Sequence, residues 1–466
     1  MHFFRPSLSP IVLVAAFAIL SPRATHAEAR LVIEADSGKV IEAENATVPW
    51  YPASVTKLMT AYVTLSAVKS GKITLDTLFT VSPVAASQSP AKMGFRPGTQ
   101  VTVDNALKMM LVRSANDMAV VLAEGVGGSI DGFSVMMNDT AQKLGMTQTH
   151  YVNPNGLPAD EQITSARDLA ILARSIIKDL PEYEYFVHIP AIRFGRRITQ
   201  NFNRLIGRYP GADGFKTGFI CASGYNLVAS ATRDGRRLIA VVLGASSGTM
   251  RAVRAAQLLD RGFASNNGLA WLRPSLGNVN NLPPIDASPP NLRDDVCGGK
   301  HHRPASDDDD APLVSSAAGS ALASTSGESG ANGTVFLAAG LKPPMPKPSE
   351  WLAANPAPSE PIVVYTGPTR SGAALIAAVA ADSDSQQTGR RGKRARVAAR
   401  KPDAAADVKP DAKPARPAAV RHANAKPADA AAKPAAAPAP ATAARPAAPR
   451  TAAKPKPKST DTKPAG

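Results

Sequence analysis

Long apolar runs are what this sequence most lacks. The longest, residues 11–20, has ten apolar residues, whereas a helix needs about 20 to cross a bilayer. A later stretch, 373–381, is shorter still. A protein that crosses a membrane on several helices is therefore excluded. Arg5 ahead of the run and the small-residue site Thr25-His26-Ala27 behind it give the pattern of an export signal. Cleavage after Ala27 would leave a chain starting near Glu28; an uncleaved anchor is the alternative, and the run is short for one. The expected location is the periplasm or cell envelope.

Cysteine is almost absent. Cys221 and Cys297 are the only two, and export would place both in an oxidising compartment, as one disulfide or as two separate thiols. With no His pair beside them they do not suggest zinc, and nothing else calls for a metal or cofactor. Aromatics are few (Phe 13, Tyr 8, Trp 3) while Pro 41 and Gly 34 are many, which confines the periodic apolar sequence to the first 265 or so positions. A basic field over the folded part is missing too. The net charge is +16, but residues 390–466 hold 19 Lys and Arg against 5 Asp, or +14. Nucleic acid is not an expected partner.

The organisation follows as signal peptide 1–27, folded domain 28–268, linker or weakly structured region 269–388, and basic Ala/Pro/Lys-rich tail 389–466. The tail cannot bury enough apolar surface to offset ordering, so it is expected to stay disordered. It would serve as a solvated spacer or bind an anionic cell-wall or membrane surface. Within the linker the apolar islands are short, as at 361–365, so most of it is expected to be linker, with a small element docked near Cys297 as the candidate for structure. In the domain, two β-rich segments flank Asp36-Ser37-Gly38, as in a hairpin. Helical patterns cover about 54–69, 103–125 (broken at 113–117), 130–144 and 166–180, with Ser165 as a cap. A turn at 211–214 precedes a strand, 225–232 and 237–244 form a second hairpin, and 250–261 is a closing helix. The second arm of that hairpin, apolar throughout, should be a central strand. This order predicts an α+β fold, an antiparallel sheet flanked by helices with a helical subdomain, followed by a disordered tail.

Three short motifs carry the chemistry: Ser54-Val55-Thr56-Lys57, Ser114-Ala115-Asn116 and Lys216-Thr217-Gly218. Singly each is common, and the first alone reads as an N-cap Ser beside a solvated Lys. If Ser54 and Lys57 share a helical first turn, their i,i+3 spacing puts them on one face. A hydroxyl becomes a useful nucleophile when such a neighbour can take its proton.

Jointly, in this order, the motifs resemble the active-site set of penicillin-binding proteins and serine β-lactamases, with Ser-Ala-Asn in place of Ser-Asp-Asn. The surrounding sequence, including Asn153-Pro154-Asn155-Gly156-Leu157, Asp213-Gly214-Phe215-Lys216 and 224–231, is similar to the serine-type D-alanyl-D-alanine carboxypeptidases over residues 29–264. The resemblance implies a β-lactamase/transpeptidase-like fold. It also implies removal of the terminal D-alanine from peptidoglycan stem peptides and covalent inhibition by β-lactams. In that scheme Ser54 is the nucleophile and Lys57 accepts its proton. Ser114 relays a proton to the leaving amine, and Asn116 holds the substrate amide and Lys57. Lys216 supplies positive potential and keeps the Lys57 proton affinity low. Thr217 and Arg251 bind the terminal carboxylate, the alternative for Arg251 being a helix-surface residue. Gly218 lets substrate lie against the strand. The N–H groups of Ser54 and Phe219 form the oxyanion hole.

Ile220 stands where relatives commonly have Thr, with Cys221 next. A second β-rich domain and an apolar-striped C-terminal helix are not evident in the pattern. The competing readings are a DD-endopeptidase, a β-lactamase, for which only Asp160 and Glu161 offer a mid-chain carboxylate, and a non-catalytic cell-wall-binding protein.

Overall fold

Strands β1 (Ala29–Glu34) and β2 (Val40–Glu44) form a hairpin around Gly38, whose φ of 72° suits a residue without a Cβ. The computed structural model describes residues 28–265, 275–298, 352–353 and 356–382. All fall in the first of two units, Met1–Lys401. The expected signal segment 1–27 and tail 389–466 lie outside the described residues.

Two short strands, β3 (Leu78–Thr80) and β4 (Gln100–Thr102), pair with each other, as do β5 (Ala191–Phe194) and β6 (Arg197–Gln200). Three longer ones, β7 (Ala212–Ile220), β8 (Gly224–Arg233) and β9 (Arg236–Ala245), complete the main sheet, ordered β2-β1-β9-β8-β7 and antiparallel throughout. The apolar arm is central β9, buried from Leu238 to Leu243. β7 begins one residue past Gly211, so residues 212–214 belong to the strand and not to the preceding turn.

Helices α1 (Lys57–Lys69), α2 (Pro83–Ser87), α3 (Val103–Val112), α4 (Asn116–Gly127), α5 (Ile130–Leu144) and α6 (Ala166–Asp179) form the helical side; α7 (Gly248–Ala264) covers the other face. Five of these seven starts are written in side chains. Ser82, Thr102, Ser129, Ser165 and Ser247 each accept a hydrogen bond from the N–H three residues on, which satisfies one of the donors a first turn leaves unpaired. The two-residue period of β9 splits the core. Ile239, Val241 and Leu243 face α1 and its neighbours, while Leu238, Ala240 and Val242 meet Ala252, Ala255 and Leu259 of α7. α1 is buried on most sides, Thr60 and Thr64 included, because it is enclosed by α3–α6.

Two stretches of 269–388, read from sequence as linker or weakly structured, pack on the domain. In the first, Asn278 bridges to Lys39, and Arg167 donates to the carbonyls of Val279 and Asn280. Helix α8 (Arg293–Cys297) then brings Cys297 to Cys221, and the disulfide is formed. In the second, β10 (Ile362–Val364) pairs parallel with β5, Tyr365 N–H donates to Asn105 Oδ1, and Gly367 N–H to the Gln100 carbonyl. Helix α9 (Gly372–Asp382) follows, and no single helix among the described residues is long and apolar enough to cross a membrane.

Candidate active site

The chain reaches the site through a 3-10 turn, Ala53–Thr56, that continues into α1. Trp50 pairs its backbone with Thr164, and Asn226 of β8 donates its side-chain amide to the carbonyls of Tyr51 and Pro52. The turn is thus tied to the sheet before it winds. Ala53 then adopts φ 50°, a left-handed conformation that costs an Ala about 1–2 kcal/mol. Ser54 stays partly exposed while Ala53, Val55, Thr56 and Lys57 are buried.

Lys57 is 0% exposed, and a buried amine is costly unless hydrogen-bonded. Its Nζ donates to Asn116 Oδ1 at 2.7 Å and to the Asn155 carbonyl at 2.6 Å, and lies 2.8 Å from Ser54 Oγ. Both asparagine oxygens are acceptors only. They therefore take two N–H bonds and, in the neutral amine, leave the lone pair aimed at the Ser54 hydroxyl. That arrangement can remove a proton from Ser54.

Ser114 sits in the α3–α4 junction at φ 60°, its Oγ buried without a hydrogen-bond partner among the described residues. Asn116 opens α4. Its Nδ2 donates to the Ser89 carbonyl and its N–H to the Ala91 carbonyl. One of the two amide donors expected to be available to substrate is thus committed to the loop of residues 88–98, which forms a roof over this junction. The same loop is held by Asp117, whose carboxylate accepts from Met93 and Gly94 N–H, and by Arg113, which donates to the Lys92 carbonyl. Burial pushes the Asp117 carboxyl above its ordinary range, against the pull of those backbone bonds.

Edge strand β7 carries Lys216, Thr217, Gly218 and Phe219. Gly218 lies opposite Asn226 and faces the nucleophile turn; a Cβ built there would sit 2.9 Å from Ser54 N and 3.0 Å from Pro52 O and Val55 N. This corrects the reason for the glycine: it allows β7 to touch the turn that carries Ser54, not only to admit substrate. It also puts the Ser54 N–H beside the strand that bears Phe219. Lys216 and Thr217 are buried, with Lys216 Nζ 3.0 Å from the Thr217 carbonyl. Phe219 points to the α7 face, stacked on Tyr225 at 4.2 Å. Arg251, 3% exposed, donates to the Gly218 carbonyl at 3.4 Å and lies over the Tyr225 ring, so it is not a helix-surface residue. Ile220 ends β7, and the Ser223 hydroxyl closes the turn on it. Cys221 and Cys297 clamp that turn.

Sequence reasoning missed the second wall of the Lys57 site. In the sequence the Asn153–Leu157 loop is no more than context for the motifs, yet it supplies the Asn155 carbonyl. Gly156 (φ 79°) fits against Ala53, where a Cβ would meet its carbonyl oxygen at 1.8 Å. The Asn-Pro-Asn-Gly turn signal was visible; that its backbone is the working part was not. Glu161, by contrast, stands away from the site beside His150, its side chain 78% exposed.

A D-alanyl-D-alanine carboxypeptidase family model, peptidase S11, matches residues 16–247. The D-alanyl-D-alanine carboxypeptidase DacA of Haemophilus influenzae is 36% identical over 272 residues, covering 55% of this chain and 69% of DacA. The chain belongs to this family. Another member, DacC of Escherichia coli, is 41% identical over 245 residues, 51% of this chain and 61% of DacC. The chain therefore matches less than two thirds of that relative's length. Among solved structures, the D-alanyl-D-alanine carboxypeptidase DacD of Francisella tularensis has a TM-score of 0.50 at 33% identity, covering 51% of this chain and 70% of that one. The fold of this S11 member is α+β, an antiparallel sheet with helices on both faces.

Proposed function

We propose that the protein is a serine-type D-Ala-D-Ala carboxypeptidase that removes the terminal D-alanine of peptidoglycan pentapeptides through an acyl-enzyme on Ser54. The observation that carries this is the Lys57 amine, fixed by Asn116 and Asn155 with Ser54 Oγ as its third neighbour. Ser54 passes its proton to Nζ as Oγ bonds to the amide carbon, and the N–H groups of Ser54 and Phe219 receive the developing oxyanion. Ser114 Oγ relays a proton to the departing D-alanine amine, and water then releases the acyl group. Lys216, Thr217 and Arg251 offer the terminal carboxylate its positive potential and hydroxyl. β-Lactams would acylate the same Ser54.

Residues 1–27 support export to the periplasm or cell envelope, and the charge of the tail supports an anionic cell-wall or membrane surface as its partner. A fast β-lactamase is disfavoured because the two mid-chain carboxylates, Asp160 and Glu161, are exposed, and Asp117, beside Asn116, is engaged by the roof loop. Mass spectrometry of the protein with a penicillin should show a persistent adduct on Ser54, lost in Ser54→Ala. A pentapeptide should lose D-alanine faster than a cross-linked dimer is cut. No adduct, or rapid turnover of the penicillin, would sink the reading.

A further inference from the structure

The Lys57 amine is oriented by two asparagines that come from opposite walls of the site, Asn116 from α4 and Asn155 from the loop after α5. Both trace back to one short segment. Residues 89 and 91 accept from Asn116 through their carbonyls, as described above. Gln88, at the end of α2, reaches the other way: its Oε1 accepts from Asn155 Nδ2 at 2.8 Å. The orientation of both amides is fixed from their far ends. Gln88 Nε2 donates to the Val84 carbonyl, and Asn155 Oδ1 accepts from Leu157 N–H. Asn155 itself is 2% exposed.

From this geometry we infer that Gln88 is a positioning residue for the general base, acting on Lys57 through Asn155. The inference rests on the carboxypeptidase reading and deepens it. A residue can position another only if it is itself held, and Gln88 opens a loop sewn to the α3–α4 junction by Asn116, Asp117 and Arg113. Among the described residues, Asn155 meets this wall through Gln88. Its neighbours are tied along the opposite edge, Val152 and Asn153 to Gln162 Oε1 and Gly156 to Asn153 Oδ1. The Asn155–Gly156 peptide is itself held by the Gly156 N–H bond to Asn153 Oδ1, so loss of the Gln88 bond would not spin it but would let the Asn153–Leu157 loop shift away from the loop that begins at Gln88. The carbonyl that takes one Lys57 N–H would then leave its place, and the lone pair would no longer be confined to the Ser54 direction. Gln88 acts on Lys57 one residue removed, through Asn155.

The bland alternative is a hydrogen bond that only stabilises the loop. The two separate in the pH profile of acylation, because a positioning loss changes how readily the base works and a structural loss does not. The ionisable groups on the surrounding elements are Lys216 on β7, Asp117 on α4, Arg113 at the junction and Lys92 in the loop, and all are retained in the variants. The experiment measures the second-order constant for acylation of Ser54 by a fluorescent penicillin between pH 5 and 10 in wild type, Gln88→Met and Gln88→Glu, with melting temperatures alongside. Gln88→Met removes both polar ends at similar volume. Its acylation constant should fall about tenfold or more, as misplacement of a catalytic group does, with a displaced acid limb. Gln88→Glu keeps an oxygen for Asn155 and adds a negative charge on the Lys57 side. It should retain the alkaline plateau while its acid limb moves upward. Wild-type constants and profile in Gln88→Met overturn the proposal even if its melting temperature falls. If that variant does not fold, an unmoved acid limb in Gln88→Glu overturns it. Absence of any adduct in wild type defeats the carboxypeptidase reading and this inference together, and is seen before either variant is compared.

Discussion

Two glycines define how tightly the nucleophile turn is built, and they predict different failures. At Gly156 an added Cβ would overlap the Ala53 carbonyl at 1.8 Å, with the backbone already at φ 79°. No side-chain rotation relieves a clash between two backbones. Gly156→Ala should therefore leave little folded protein, read by expression yield and loss of a cooperative melt. At Gly218 the contacts are 2.9–3.0 Å to Ser54 N, Pro52 O and Val55 N, which a small shift of an edge strand can absorb. Gly218→Ala should fold, with a stability loss of about 1–3 kcal/mol from overpacking. Its acylation rate should fall about a hundredfold, since β7 and the Ser54 N–H separate. Equal melting and equal acylation to wild type would show that β7 does not rest on this turn. These residues also mark what a sequence makes legible. Ser54, Lys57, Ser114, Asn116 and Lys216 stand out because their chemistry resides in side chains. Asn155 and Gly156 act through a carbonyl and through a missing Cβ, and Asn226 acts through backbone groups of the turn. None of those roles has a residue-type signature.

Caps and periodicity made most elements readable. Ser165 heads α6 as expected, and the apolar arm became the central strand, because in both cases the deciding interaction is local or depends only on burial. The start of α1 was less readable: the 3-10 turn at Ala53–Thr56 is held by Asn226 and by contact with β7, elements far along the chain. β10 is a stronger case, three residues whose pairing partner β5 lies about 170 positions away, so nothing near it signals a strand. Charge ties elements as well. Glu34 at the end of β1 accepts two bonds from Arg236 at the start of β9, at 2.7 and 3.0 Å, and one from Ser37. Arg236 also donates to the Gly262 carbonyl of α7. Burial alone would raise the Glu34 carboxyl, but the Arg236 and Ser37 bonds outweigh it and hold it below its ordinary value of 4.5. The folded state then binds the proton less readily than the unfolded chain. The resulting stabilisation is complete above about pH 4.5 and is lost as pH falls through the depressed value. Because the pair is solvent-screened, it should amount to no more than about 1 kcal/mol. Urea melts of wild type and Glu34→Gln should differ by that amount at pH 7 and converge as pH falls below the depressed value. A gap that does not narrow as the pH is lowered from 4.5 would mean that packing, not charge, is at work.

Over the whole described molecule, the segment after α7 returns to the sheet and is locked there. Arg167 holds residues 279–280 at the foot of α6, Leu292 N–H donates to the Ala222 carbonyl, and Cys297 joins Cys221 in the turn that follows β7. The sequence left open whether the two cysteines pair; the fold brings α8 to that turn and decides it. The two are separated by 76 positions, so by the chain-entropy estimate the crosslink removes about 4 kcal/mol of freedom from the unfolded chain. Its effect on catalysis should be small. β7 is independently fixed by its pairing with β8 and by contact of Gly218 with the Ser54 turn, and Cys221 lies just past the end of the strand. Reduction, or Cys297→Ser, should therefore shift the denaturation midpoint strongly while leaving the acylation constant of the folded protein within about twofold, since distant changes couple weakly. Peptide mapping without reductant identifies the bond, and paired urea melts with and without reductant measure its worth. An unchanged midpoint would deny the crosslink its structural role. A collapsed acylation constant in protein that remains folded would instead make the β7–β8 turn part of the catalytic framework.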